Sequence, residues 1–179
     1  VEVVENIVQS LTNYIKDNKR SIIFDTIEEE IVLACDPEQI ERIILNLLSN
    51  AMKFTTNEGN IYVNIDVNDS CNKVIITIGN DGEPIHSEDA ERIFKRFTQS
   101  ERLLTRSAEG SGIGLALTKS LVELHRGTIY VNTEIKNGTE FCIELPIRKI
   151  INSKDNNVRE KNIESKVEKF QIEFSDIYN

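Results

Sequence analysis

Apolar residues at helical spacing open the chain. Val4, Ile7, Val8, Leu11, Tyr14 and Ile15 predict an amphipathic helix over residues 1–19. Two short apolar runs follow, Ile22-Ile23-Phe24 and Ile31-Val32-Leu33-Ala34, with the acidic turn Glu28-Glu29-Glu30 between them. They read as a pair of strands. Asp36-Pro37 then starts a helix. Asp36 can cap it, Pro37 suits the first helical position, and Gln39 stands where a capping box takes Glu or Gln. Ile40, Ile43, Ile44, Leu47, Leu48 and Ala51 give this helix its apolar stripe to about Lys53. After Asn57-Glu58-Gly59 the period changes to two. Ile61, Val63, Ile65 and Val67, then Val74, Ile76 and Ile78, predict a hairpin.

Beyond a loop with Asp81-Gly82 and Pro84, Ser87 can cap a short helix reaching Phe97. Residues 98–111 are polar and read as a mobile loop. Residues 113–125 predict a helix stopped by Gly127. Residues 128–135 and 139–147 predict a second hairpin around Asn137-Gly138. Helices interspersed with hairpins in this order imply an α+β fold. It is a two-layer α/β sandwich, with a mixed, mostly antiparallel sheet and helices packed on one face. Residues 1–147 form the expected domain. Residues 148–179 are a polar linker and C-terminal extension, whose alternating Phe170, Ile172 and Phe174 suit a strand or docking segment.

Composition narrows the function. Apolar residues make up 39% and charged residues 28% of the 179, which fits one soluble domain with a full core. A net charge of −9 argues against a nucleic-acid partner. The three cysteines are scattered and only two histidines are present, so neither a disulfide framework nor a zinc site is expected. No apolar run reaches membrane length and no signal-peptide pattern opens the chain. The fragment itself is expected to be cytoplasmic without membrane contact, whether or not a parent protein is membrane-anchored.

Four elements carry candidate chemistry. Asn46, Asn50 and Lys53 lie within about 60° of one another on the flank of the helix that starts at Asp36. Amide oxygens are hard ligands for Mg²⁺, and the ammonium can meet a phosphate. A solvated helix flank is the ordinary alternative, although two asparagines inside a helix need a reason. Asn80-Asp81-Gly82-Glu83-Pro84-Ile85 follows a strand and lets a planar ligand approach the backbone, or is a plain turn. Gly110-Ser111-Gly112-Ile113-Gly114-Leu115 enters a helix, where free N–H groups attract phosphate. It matches neither the dinucleotide fingerprint nor the P-loop, and a glycine hinge before a packed helix is its alternative. Arg96, Phe97, Arg102 and Arg106 complete the set, as a γ-phosphate clamp or as surface arginines.

In this order the segments resemble the boxes of the histidine-kinase catalytic domain. That domain belongs to an ATPase superfamily shared with type II topoisomerases, mismatch-repair ATPases and a heat-shock chaperone. Residues 44–55 look like its N box and residues 78–85 like its first glycine box. Residues 93–97 look like its F box, and 110–115, running on to Leu121-Val122-Glu123-Leu124-His125, like its second glycine box and following helix. The resemblance covers about residues 1–147.

The resemblance implies binding of ATP and Mg²⁺ between the N-box helix and residues 98–111, acting as a lid. Asn50 would be the principal Mg²⁺ ligand and Asn46 would assist. Lys53 would contact phosphate, and Phe54 would lie near the adenosine. Gly110, Gly112 and Gly114 would surround the phosphates, with Ser111, Ile113 and Leu115 in the same segment. Arg106, then Arg102, would contact the γ-phosphate. Phe94 and Phe97 would pack under the lid. Asn80 stands where the family usually has the adenine-reading Asp, and Pro84 replaces a glycine of the box that includes Gly82 and Ile85. The phosphoacceptor motif, a histidine followed by an acidic residue on a dimerisation helix, is absent from this chain, since neither His86 nor His125 fits it. The implied partners are therefore a separate dimerisation and phosphoacceptor domain and a response regulator. Two other readings stay open: a serine-directed kinase of the anti-sigma-factor type, and a degenerate nucleotide-binding regulatory module.

Overall fold

The computed structural model describes residues 1–95 and 113–147. The first element is helix α1, Glu2–Asp17, which buries Val4, Ile7, Val8, Leu11 and Ile15, the predicted stripe. Strand β1, Ser21–Thr26, follows and leads to helix α2, Pro37–Phe54. The Asp36 carboxylate accepts the N–H groups of Glu38 and Gln39, as its capping position requires. The reciprocal half of the capping box does not form. Gln39 instead donates to the Asp36 carboxylate at 2.8 Å, because the Asp36 N–H already goes to His125 Nε2 at 3.1 Å.

Strands β2 (Asn60–Asn68) and β3 (Lys73–Asn80) form the first hairpin. A single 3-10 turn at Arg92–Phe94 precedes helix α3, Gly114–Leu124, and strands β4 (Thr128–Val131) and β5 (Thr139–Pro146) close the domain. The sheet order is β1-β2-β3-β5-β4. β1 pairs parallel to β2 with α2 in the connection, and every other pairing is antiparallel. Register puts Val63 opposite Ile78, Ile65 opposite Ile76, and Ile76 opposite Ile143. One face of the sheet is therefore apolar and packs against the helices. This is the expected mixed α+β sandwich.

Four expectations are corrected. Residues 31–34 are not a strand: Ile31 and Leu33 pack against the core while Val32 is exposed, so the run covers the core without entering a ladder. Of the helix expected over residues 87–97, the described part, 87–95, forms turns and the Arg92–Phe94 helix. Among these described residues only Ile93 and Phe94 are buried, too little apolar surface to order a longer helix there. Phe97 lies outside the described residues. The end of α3 is set by Arg126 rather than Gly127. Arg126 has φ 59°, its N–H bonds Glu123 O, and the Gly127 N–H bonds Val122 O, a complete Schellman pattern. Gly127 is small for another reason, because a Cβ there would lie 2.5 Å from Glu144 O on β5. Residues 132–138 connect β4 to β5, longer than the sequence suggested. Asn132 turns the chain early by accepting the Glu134 N–H. No helix among the described residues is long and apolar enough to cross a membrane.

Candidate nucleotide site

The buried stripe of α2 fixes which way its polar flank faces. Asn46, Asn50 and Lys53 are all half-buried at the edge of the core. The Asn46 Nδ2 donates to Thr118 Oγ1, and Thr118 is buried on α3. The Asn46 carbonyl side lies against Gly114, where a Cβ would come within 2.5 Å of Oδ1. Gly114 is therefore glycine because α2 approaches so closely. The contact brings the first turn of α3 onto the flank that carries Asn50 and Lys53. Among the described residues that turn has no side-chain cap: Ile113 is its N-cap and forms no capping hydrogen bond. An uncapped helix N-terminus attracts an anion. Burial lowers the pKa of the Lys53 ammonium below the ordinary lysine value. The ammonium also sits 5.4 Å from the Phe54 ring centroid.

At the end of β3, Asp81 and Asn80 have opposite fates. Asp81 Oδ2 accepts from the Asn60 backbone N–H at 2.9 Å and from its Nδ2 at 2.8 Å, while Oδ1 accepts from the Tyr62 hydroxyl at 3.3 Å. Its carboxylate thus ties the loop to β2. Asn80 is buried, and its Nδ2 has no hydrogen-bond partner among the described residues. A buried donor left unpaired is costly, and such groups mark ligand sites. Gly82 lies beside it, where a Cβ would fall 2.7 Å from Asn80 Nδ2 and 2.4 Å from Phe54 O. This approach joins the end of α2 to the loop after β3. The β4–β5 connection supports the loop from behind: Gly138 N–H bonds Gly82 O at 3.0 Å, and Thr139 Oγ1 donates to Glu83 O at 2.8 Å. Gly138, at φ +87°, also has no room for a side chain above Asn80 O.

Of the other expected site residues, Pro84 and Ile85 are half-buried, Ile113 is exposed, and Leu115 packs against the core. Phe94 meets Phe141 edge-on at 6.2 Å, with the Lys119 ammonium 5.8 Å from its ring centroid. Arg96, Phe97, Arg102, Arg106, Gly110, Ser111 and Gly112 lie outside the described residues, as does the whole segment 98–111 expected to act as a lid. Residues 148–179 lie outside them too. Among the described residues no group of three or more His, Cys, Asp or Glu could hold a metal ion. Sequence reasoning missed Thr118 and the structural duty of Asp81. Thr118 carried a readable signal, a polar residue one turn after Gly114 on the inward side of its helix.

Residues 35–149 match the family described as histidine kinase-, DNA gyrase B-, and HSP90-like ATPases, more than half of the chain. The chain belongs to this family. Among its relatives, sensor histidine kinase CusS of Escherichia coli O6:H1 is 39% identical over 127 residues, 71% of this chain and 26% of CusS. Sensor histidine kinase WalK of Bacillus subtilis is 30% identical over 68% of this chain and 20% of WalK. The chain thus spans about a quarter or less of these relatives. Among solved structures, the mycobacterial sensor histidine kinase MprB superposes with a TM-score of 0.67 at 26% identity, covering 82% of this chain and 95% of that one. The ATPase domain described here is the catalytic part of such kinases.

Proposed function

We propose that this ATPase domain binds Mg²⁺-ATP and transfers the γ-phosphoryl group to a histidine on a separate dimerisation domain, from which a response regulator takes it. The observation that carries the reading is the docking of Gly114 and Thr118 on Asn46. It sets the uncapped N-terminus of α3 beside the flank with Asn50 and Lys53. The similarity to named sensor histidine kinases favours a histidine acceptor over a serine. The parent protein is proposed to present this domain to the cytoplasm.

The residues fit the ligands. Asn80 offers its unpaired amide to adenine, next to Gly82 and Phe54. Lys53 and the α3 N-terminus meet the phosphates, and a partly desolvated ammonium attracts them more strongly than a hydrated one. Asn50 would be the principal Mg²⁺ ligand. Asn46, whose Nδ2 is committed to Thr118, has its oxygen steered by that bond and assists. Bound Mg²⁺ would neutralise phosphate charge as it shifts toward the leaving ADP. Arg106, with Arg102 second, is proposed to contact the γ-phosphate. In the transfer, an imidazole nitrogen of the acceptor bonds to the γ-phosphorus while the bond to the bridging oxygen of ADP breaks. Little covalent help is needed, so this domain contributes position and charge.

Mixing the domain with the parent's dimerisation domain and γ-labelled ATP tests the reading. Label is expected on histidine, labile to acid and stable to alkali, and absent with Asn50→Ala. Acid-stable label on a serine would overturn the histidine assignment.

A further inference from the structure

The position proposed to read the base carries an amide, Asn80, whose nitrogen has no hydrogen-bond partner among the described residues. Asn80 is 5% exposed. Position 82 beside it has no side chain: a Cβ there would fall 2.7 Å from Asn80 Nδ2 and crowd it. Asp81, the adjacent carboxylate, is fully engaged with Asn60 and Tyr62 and does not compete for a ligand.

We propose that Asn80 sets the purine selectivity of this site and admits 6-oxopurine nucleotides alongside adenine nucleotides. The inference rests on the ATP reading above. An amide carries one acceptor and one donor side by side, whereas a carboxylate is acceptor-only. Adenine presents a 6-amino donor beside the N1 acceptor. Hypoxanthine presents the reverse, an O6 acceptor beside an N1–H donor. Turned one way, the Asn80 amide complements the first edge; turned over, it complements the second. Turning it over breaks no hydrogen bond of Nδ2 to the described residues. With the contact made at the 6-position, a carboxylate oxygen accepts from a 6-amino group but opposes O6 with a second acceptor, a repulsive contact. The amide therefore removes the element that excludes a 6-oxo edge.

The test is calorimetry with ADP and with inosine diphosphate, which differ only at the 6-position edge, on the wild type, Asn80→Asp and Asn80→Ala. The wild type is expected to bind the two within about tenfold of each other. Asn80→Asp should keep ADP affinity within a few fold and lose at least about a further tenfold for inosine diphosphate. Asn80→Ala, which buries no charge, guards against a folding failure of the aspartate variant and should weaken both ligands together. Normal ADP binding with inosine diphosphate about a hundredfold or more weaker in the wild type overturns the inference alone, as does an unchanged ratio in Asn80→Asp. Absence of ADP binding to the wild type overturns the nucleotide reading and this inference with it.

Discussion

At the scale of single residues, the site is made of groups that serve the fold poorly. Lys53 is the plainest case. Burial lowers its pKa, so the folded state carries a cost for the charged ammonium. That cost is present below the lowered folded pKa and fades as pH rises toward the ordinary lysine value. Lys53→Met should therefore be as stable as the wild type or more so at about pH 7, with the difference shrinking toward about pH 10. The same variant should bind ATP at least about tenfold more weakly. Urea midpoints at the two pH values and calorimetry check both parts. Gly114 is the converse, a residue whose smallness is the point. Gly114→Ala forces a Cβ onto Asn46 Oδ1 and should cost about 1–3 kcal/mol of stability along with much of the ATP affinity. The three polar residues on the α2 flank were legible from their spacing alone. Thr118 stands out in the sequence only as a polar residue on the inward side of its helix; its bond to Asn46 joins two helices that sequence periodicity treats separately.

At the scale of elements, strong periodicity translated directly into structure, and weak patterns were decided by tertiary contact. α1, α2 and the first hairpin follow their apolar positions with ends shifted by a residue or two. Residues 31–34 look like a strand in isolation, yet pack only alternate side chains against the core and find no ladder partner. Helix ends were also settled by neighbours. His125 Nε2 accepts the Asp36 N–H, and its Nδ1 lies 2.8 Å from Leu121 O, so the end of α3 helps to start α2. The glycine signal at Gly127 was real but misread, since the left-handed position belongs to Arg126. Arg126→Gly should stabilise the domain by about 1 kcal/mol, because glycine takes that conformation without the Cβ strain. A higher denaturation midpoint with an unchanged m-value is the expected result.

At the scale of the whole molecule, the sheet and α2 are the scaffold, and the groups proposed to bind the ligand gather where α2, α3 and the loop after β3 meet. The net charge of −9 repels an anionic ligand from most of the surface, so binding depends on the local donors at this junction. The order of the four boxes made the family legible in the sequence. It could not show that Asp81 is occupied by Asn60 and Tyr62 while Asn80 is left open, because only the folded register decides which of two adjacent polar side chains faces inward. The most direct test of the site is ATP binding by calorimetry, with and without Mg²⁺, on the wild type and on Asn50→Ala. The account predicts wild-type binding that Mg²⁺ strengthens, and binding by Asn50→Ala that is at least about tenfold weaker and indifferent to Mg²⁺. A wild type that binds no ATP, or an Asn50→Ala variant that keeps the full benefit of Mg²⁺, would contradict it.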